Sequence, residues 1–445
     1  MFTDGVLYAS VAHNLAIGKG TFWFPYFDNY MFTFFHQQPP LTFGIQALFF
    51  KAFGDSMYVE RAYSFLMACI SALLIAGIWR TVNTDNPAFK KMWWLPVLLW
   101  ISIPTTSFAY INNLEENTMG VFILVSVLCI FKGLQEQKLV LVALGSAFTV
   151  LASLCKGFPG LFPIIIPLCY FIITKHNYSF IKALVFSVIA IITPVLIYSL
   201  LLTNNNAYTS LSAYLHDRVL HSIQNVSNVE SRFDLIEQLF ITQLSVPLAI
   251  AVLLVLVKGF KEFKFQFNNS TYTKTILLFV TIGISASFPL IITREQRIFY
   301  LAPSFPYYAI AIALAVAPII DSFIQRLDLS SKTYKTFSTV TTCYLWAVLI
   351  FTYINVGKYG RDKEKLNDIS AVGNAIPAGS YITVSDTTWQ DWNLHNYFVR
   401  YYNISLDTDT NKHAYYLLDR NIDKKKPTNF KELVLSGQRY NLYKR

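Results

Sequence analysis

Long apolar runs separated by short polar clusters make up most of the chain. Ten are long and apolar enough to read as membrane helices: 61–79, 92–111, 118–131, 139–154, 158–174, 183–203, 238–257, 275–292, 299–320 and 337–356. Several fall short of the roughly 20 residues that cross a bilayer unaided. The two ends follow other patterns. Residues 1–60 contain an amphipathic helix, with Leu7, Val11 and Leu15 at spacing four, and a second apolar piece opened by Pro39-Pro40. Both are too short or too polar to span and are expected along the membrane surface. After residue 356 the long apolar runs stop. Strand-like stretches at Tyr381 to Val384, Tyr415 to Leu418 and Leu433 to Leu435 alternate with helix-like ones, which predicts a small α/β domain over 357–445. The expected fold class is mainly α: a polytopic transmembrane bundle over 61–356 with a small extramembrane α/β domain behind it.

Composition supports that class. Of 445 residues 54% are hydrophobic and 14% charged, and mean hydropathy is +0.41, where a soluble chain carries about 25% charged residues. A disordered protein, a fibrous rod and an ordinary cytosolic enzyme are excluded. The net charge of +10 would suggest nucleic acid as partner of a soluble protein; in a membrane protein its placement sets orientation instead. The loops 80–91, 132–138, 175–182, 258–274 and 321–335 hold fourteen Lys and Arg against five Asp and Glu, a surplus of +9 that marks them as cytoplasmic. The segments 1–60, 112–117, 155–157, 204–237, 293–298 and 357–445 are then exterior, which in a bacterial inner membrane means periplasmic. Residues 1–60 would have to cross with no hydrophobic leader before them, so a further helix upstream of Met1 is expected. Cys69, Cys129, Cys155, Cys169 and Cys343 all lie in apolar stretches with no CxxC spacing. They read as buried small hydrophobes, neither a disulfide framework nor a metal site.

The exterior segments carry the candidate chemistry. Asp4 precedes the amphipathic helix, where it reads as an N-cap, with its pKa lowered by backbone N–H groups, and, compatibly with that, as a general base at the membrane surface. Glu115 and Glu116 open a span, as a solvated helix start or as a second acidic group of a site. Lys156 ends a helix, as a snorkelling lysine or as a phosphate ligand. Arg294 and Arg297, positive where the orientation rule disfavours it, suit lipid phosphates or a phosphate leaving group. His36 and His221 are isolated histidines, better read as hydrogen-bonded residues than as metal ligands. Asp407-Thr408-Asp409 has the form of a metal-binding DxD but sits among turn residues, with no Gly-rich phosphate loop in the chain, and reads as a solvated turn. Trp389, Trp392 and His395 could stack on a sugar or fill a small core.

In order, these pieces resemble the integral-membrane glycosyltransferases of the GT-C type, and within them family 39, which groups protein O-mannosyltransferases with aminoarabinose transferases. Asp4-Gly5-Val6-Leu7-Tyr8-Ala9 resembles the family's Asp-Glu-x-x-Tyr-Ala motif, and His36-Gln37-Gln38-Pro39-Pro40-Leu41 its Glu-Lys-Pro-Pro-Leu segment. Leu114-Glu115-Glu116-Asn117 falls where the family has an acidic residue opening a span. Leu154-Cys155-Lys156-Gly157-Phe158 matches a Lys-Gly-Phe segment, and His221 resembles a histidine of the large exterior loop. Gln296-Arg297-Ile298-Phe299-Tyr300, with Pro303 and Pro306 beyond, resembles a Lys-x-x-x-Tyr stretch. Three places depart from the pattern: Gly5 replaces the Glu used by metal-binding members, Gln37-Gln38 replace Glu-Lys, and Gln296 replaces the basic residue.

The resemblance implies transfer of a sugar from a polyprenyl-phosphate donor to a lipid, glycan or protein acceptor at the outer face, with inversion. Asp4 would be the general base, with Glu116 as second acid. Lys156, Arg294, Arg297 and Tyr300 would hold the donor phosphate, and Tyr8, His36, Gln37, Gln38, Glu115 and His221 would position substrates. Membrane lipids are expected partners and nucleic acid is not. No cofactor is required, and a divalent metal is left open. Two other classes remain: a transporter or lipid flippase, which should show charges near mid-bilayer, and a non-catalytic subunit presenting the 357–445 domain.

Overall fold

The computed structural model describes residues 1–174, 179–224, 227–256, 270–423 and 426–445. Lys175, Lys258, Lys261, Glu262 and Lys264, counted above in the loop charges, lie outside the described residues. The chain forms two compact units, Met1–Pro318 and Ile319–Arg445.

Among the described residues, seven helical stretches are long and apolar enough to cross a membrane: Val59–Val82, Glu115–Glu136, Leu139–Lys156, Phe180–Leu201, Tyr272–Ile292, Ile298–Gln325 and Lys332–Ile354. Two bent pairs add to them. Trp94–Ile101 and Pro104–Ile111 meet at 79°, and Asp234–Gln243 and Ser245–Leu254 at 45°. In the first pair Pro104 opens the second helix, so the bend falls where proline cannot continue the hydrogen-bond ladder. The tenth expected span, 158–174, is instead a 3-10 segment, Phe158–Ile165, followed by the short helix Ile166–Thr174. Pro159, Pro163 and Pro167 remove the donors a continuous α-helix would need.

The centre of the first unit is the antiparallel hairpin of Glu115–Glu136 and Leu139–Lys156, turned at Gln137 in the left-handed region (φ 56°). Ile123, Val127, Ile130 and Leu134 bury one stripe of the first helix, and Ser146, Thr149, Val150 and Ser153 answer from the second. Small residues at such a contact let the backbones close up, and dispersion then replaces the hydrophobic effect that lipid does not supply. The hairpin sets Glu115 and Lys156 at the same end. By contrast Phe180–Leu201 leaves most of its large apolar side chains uncovered, and Lys332–Ile354 buries none, as suits helices solvated by lipid. Cys155 and Cys169 are buried as expected, whereas Cys69 and Cys343 are exposed on their helices.

The N-terminal region packs more deeply than its Leu7, Val11, Leu15 pattern predicts. In the helix Thr3–Ala16 the residues Gly5, Val6 and Tyr8 through Asn14 are buried, many against Leu41–Phe53, so the apolar stripe is only part of its covered surface. The exterior segment 204–237 is largely helical over Asn205–Gln224.

The second unit carries a five-stranded sheet of order β2-β1-β3-β5-β4, with β1 Tyr381–Thr383, β2 Ser405–Asp407, β3 Tyr415–Asp419, β4 Lys431–Leu433 and β5 Tyr440–Lys444. β1 runs parallel to β2 and β3, while β5 runs antiparallel to β3 and β4. Asp407 is not the solvated turn residue expected: it ends β2, buried, 2.7 Å from His413 Nε2. Asp409 does hold a turn, accepting from the Asn411 N–H. His395 is fully buried against the Trp389 ring, 4.4 Å between centroids, which makes this pair core.

Candidate active site

Four segments meet at the Glu115–Lys156 end of the hairpin. The first is the start of Thr3–Ala16. Gly5 lies so close to the turn before Glu115 that a Cβ there would be 1.7 Å from the Asn112 carbonyl oxygen. The Phe2 N–H donates to Asn112 Oδ1 (2.6 Å) and Asn113 Nδ2 to the Gly5 carbonyl (3.3 Å), while the Phe2 ring packs edge-on against Phe108 and Phe299. A Glu at position 5, the residue that metal-binding members of family 39 use there, has no room in this packing. We expect Gly5→Ala to lower the melting temperature by several degrees, because backbone must move to admit one methyl group; thermal unfolding in detergent measures it.

This docking carries Asp4 to the hairpin end. Asp4 is not an N-cap: it stands in the first helical turn, the capping position is Phe2, and no side chain caps the helix. Its pKa therefore moves opposite to the capped expectation. Burial pushes it above the ordinary carboxylate value, and Lys156, Arg297 and Arg218 offset part of the rise.

The second segment is the pair Glu115 and Glu116, favoured in a first turn by the helix dipole. They are neither solvated nor exposed, at 0% and 2% accessibility, and Lys156 at 8% is no snorkelling lysine. Lys156 Nζ lies 2.7 Å from Glu116 Oε1 and 3.8 Å from Glu115 Oε2. The rings of Tyr8, Phe299 and Tyr300 surround the ammonium at 6.0, 5.7 and 5.1 Å, a setting in which cation–π attraction supplements the ion pair. Gly157 (φ 83°) ends the Lys156 helix, and the Tyr214 hydroxyl donates to the Lys156 carbonyl (3.3 Å), passing where a Cβ on Gly157 would stand. That close approach accounts for the Lys-Gly pair.

The third segment is the wide π-type turn Tyr214–Leu220, which supplies Arg218. Its guanidinium binds Glu295 Oε1 at 2.5 Å. The fourth is 293–300. Gln296, where the family pattern has a base, is a buried bolt: its side chain donates to the Arg232 and Thr293 carbonyls and accepts from the Leu235 N–H. It thereby fixes Glu295 and Arg297 on either side.

A cavity of about 610 Å³ opens from this cluster. Lys156, Arg218, Glu116, Glu295, Tyr300 and Gln38 give it a polar end, and Phe158, Phe162, Val219, Pro289 and Ile292 are among its apolar walls. Cations at one end of an apolar slot suit a phosphate esterified to a long hydrocarbon.

A family model described as Glycosyltransferase family 87 matches residues 40–261, about half the chain. In three dimensions the chain is similar to ArnT from Cupriavidus metallidurans. For ArnT bound to undecaprenyl phosphate the TM-score is 0.61 at 13% identity, over 99% of this chain and 93% of that one; for apo ArnT it is 0.63. It is also similar to an oligosaccharyltransferase from Archaeoglobus fulgidus, with TM-score 0.53 at 10% identity over 94% of this chain and 66% of that one. No curated protein sequence matches. The chain is a GT-C type membrane glycosyltransferase. The family model that matches is that of family 87, where the motifs pointed to family 39; the GT-C type and the multi-pass membrane fold stand. The transporter and non-catalytic readings fall away.

The predicted site residues divide by place in this glycosyltransferase. Asp4, Tyr8, Glu115, Glu116, Lys156 and Tyr300 come together, and Arg297 is near enough to act on the Asp4 charge. Gln38 lines the cavity. Gln37 is half-buried; His36 packs on Phe24 and Phe34, facing Ser210 Oγ at 3.5 Å, with its pKa pushed down by burial. Arg294 and His221 are exposed and do not line the cavity, although Ser222 and Ile223 do. Sequence reasoning missed Arg218, Tyr214 and Asn113, and gave Glu295 no role of its own. Arg218 was within reach, since an arginine in an exterior segment offends the orientation rule as Lys156 does.

Proposed function

We propose that this enzyme moves a sugar from a polyprenyl-phosphate donor to an acceptor hydroxyl at the outer face of the membrane, inverting the anomeric carbon. The observation that carries the reading is the slot with Lys156 and Arg218 at its polar end. The donor's isoprenoid tail lies along the apolar walls and its phosphate against the two cations. The bound lipid named for ArnT, undecaprenyl phosphate, has this chemistry.

Asp4 takes the proton of the acceptor hydroxyl as the oxygen attacks the anomeric carbon, and the bond from that carbon to the phosphate oxygen breaks on the opposite side. The departing polyprenyl phosphate gains a negative charge, which Lys156 and Arg218 meet with Arg297 nearby. Tyr300 and Glu116 hold donor and ammonium in place. The raised Asp4 pKa makes a stronger base, at the cost of a proton retained to higher pH.

The test is turnover of radiolabelled polyprenyl-phosphate sugars by the purified protein, with product stereochemistry and a pH profile. Asp4 acts only when ionised, so kcat should fall as pH drops through its pKa, with the acid limb above the 3.8 of an ordinary aspartate. No turnover of any such donor, or a retained configuration, rejects the reading.

A further inference from the structure

Glu116 also lines a second, much smaller cavity of about 10 Å³. Its walls include Glu116, Asn117, Thr106, Tyr110, Trp100 and Pro303. Its size is about that of a single water. Four buried polar atoms of its lining residues have no hydrogen-bond partner among the described residues: the Thr106 hydroxyl, Asn117 Oδ1 and both Glu116 oxygens, of which Oε1 faces the Lys156 ammonium at 2.7 Å and leaves Oε2 for the cavity.

The Asn117 orientation is not arbitrary. Its Nδ2 donates to the Ala109 carbonyl (2.9 Å) and to Ser64 Oγ (3.0 Å), and a carbonyl can only accept, so the oxygen must be the atom left over. The Tyr110 hydroxyl is already spent on Ser71 Oγ at 2.9 Å. What remains is one hydroxyl that can donate and two oxygens that can only accept.

We propose that a single buried water occupies this cavity and that Thr106 and Asn117 position Glu116 through it. The valences close: the water accepts from the Thr106 hydroxyl and donates one hydrogen to Asn117 Oδ1 and one to Glu116. Glu116 is then held from both sides, by the water on one and by the Lys156 ammonium at 2.7 Å on the other. Its carboxylate cannot swing, and neither can the ammonium at the head of the donor slot. The broken span gives Thr106 its place, since the 79° bend before Pro104 turns the Pro104–Ile111 helix toward the hairpin. The Thr105 N–H, bonded to Gln243 Oε1 at 3.1 Å, secures that turn. Thr106 touches no substrate; it is a positioning residue.

The inference rests on the proposed role of the Glu116–Lys156 pair in turnover, and its test separates the two. Thr106→Val keeps the shape and removes the donor, Thr106→Ser keeps the donor, and Glu116→Gln removes the charge the water serves. Each is made alone, and Thr106→Val is combined with Glu116→Gln, in nanodiscs, with kcat, donor KM and melting temperature measured. Thr106→Val should lower kcat about tenfold, the worth of one hydrogen bond to a charged group, with donor KM little changed. Thr106→Ser should restore it, and Thr106→Val should cost almost nothing further in the Glu116→Gln protein. Undiminished kcat in Thr106→Val, or equal losses in both backgrounds, overturns the proposal. If the wild-type protein turns over no polyprenyl donor, that reading of function fails by itself. The melting temperatures of wild type, Thr106→Val, Glu116→Gln and the double variant then decide: coupling between positions 106 and 116 upholds the water, and additive shifts reject it.

Discussion

Asp4→Asn is expected to lower kcat by about 10²- to 10⁴-fold, the range in which a positioned general base contributes, while the protein folds and holds donor as before. The substitution keeps size and shape. It breaks no cap, since Asp4 is inside the first turn and the helix start is tied down instead by Phe2 and Asn112. Stability should not suffer at neutral pH and should rise slightly. The sign follows from the raised pKa: an acid whose pKa goes up on folding favours the fold while protonated, and that advantage is lost as pH rises through the folded value. An amide is never ionised and escapes the penalty. Loss of turnover with an unchanged or higher melting temperature would therefore be a chemical loss. An Asp4→Asn enzyme that works at the wild-type rate would remove Asp4 as the base and leave Glu116 as the next carboxylate to test.

The reasons Asp4 was legible in the sequence, and Arg218 was not, are physical. Asp4, Glu115, Glu116 and Lys156 stand out as charges at the exterior ends of apolar stretches, and Lys156 also runs against the orientation rule. Arg218 offends the orientation rule too, but it sits in a segment polar enough to read as loop, beside Asp217 and near Glu230 and Arg232, and only the fold of Tyr214–Leu220 turns it into the cavity. The spans were readable because hydropathy integrates over many residues, yet 158–174 passed the same filter while its three prolines broke it. β2 and β5 escaped because three- and five-residue strands made of Ser405-Leu406-Asp407 and Tyr440 to Lys444 carry little period-two signal; their pairing with β1 and β3 defines them. Gly5 read as a departure from a family motif. In the structure it is the contact that lets the N-terminal helix reach the hairpin, and no local pattern reports a contact over a hundred residues away in sequence.

Lys156→Met is expected to damage both fold and function. One ammonium compensates two carboxylates buried from bulk solvent, and a methionine of similar volume leaves both without it. Breaking a buried pair in this way costs about 3–5 kcal/mol, because the uncompensated charge stays in a poor dielectric. The melting temperature should fall by roughly 10 °C, and low yield alone could then hide any catalytic effect. The separation comes from the carboxylates. In a protein that also carries Glu115→Gln and Glu116→Gln, no buried charge is left stranded, and most of the lost stability should return, as replacing whole buried ion pairs by neutral groups often costs little. Turnover should not return, since the phosphate still leaves without the ammonium that faces it. A triple variant that regained both would make Lys156 a structural counter-ion only and shift the leaving-group role to Arg218. One that regained stability alone would tie the same ammonium to two tasks, holding the two glutamates and receiving the departing phosphate, and Glu116 would be the group that keeps it available for the second.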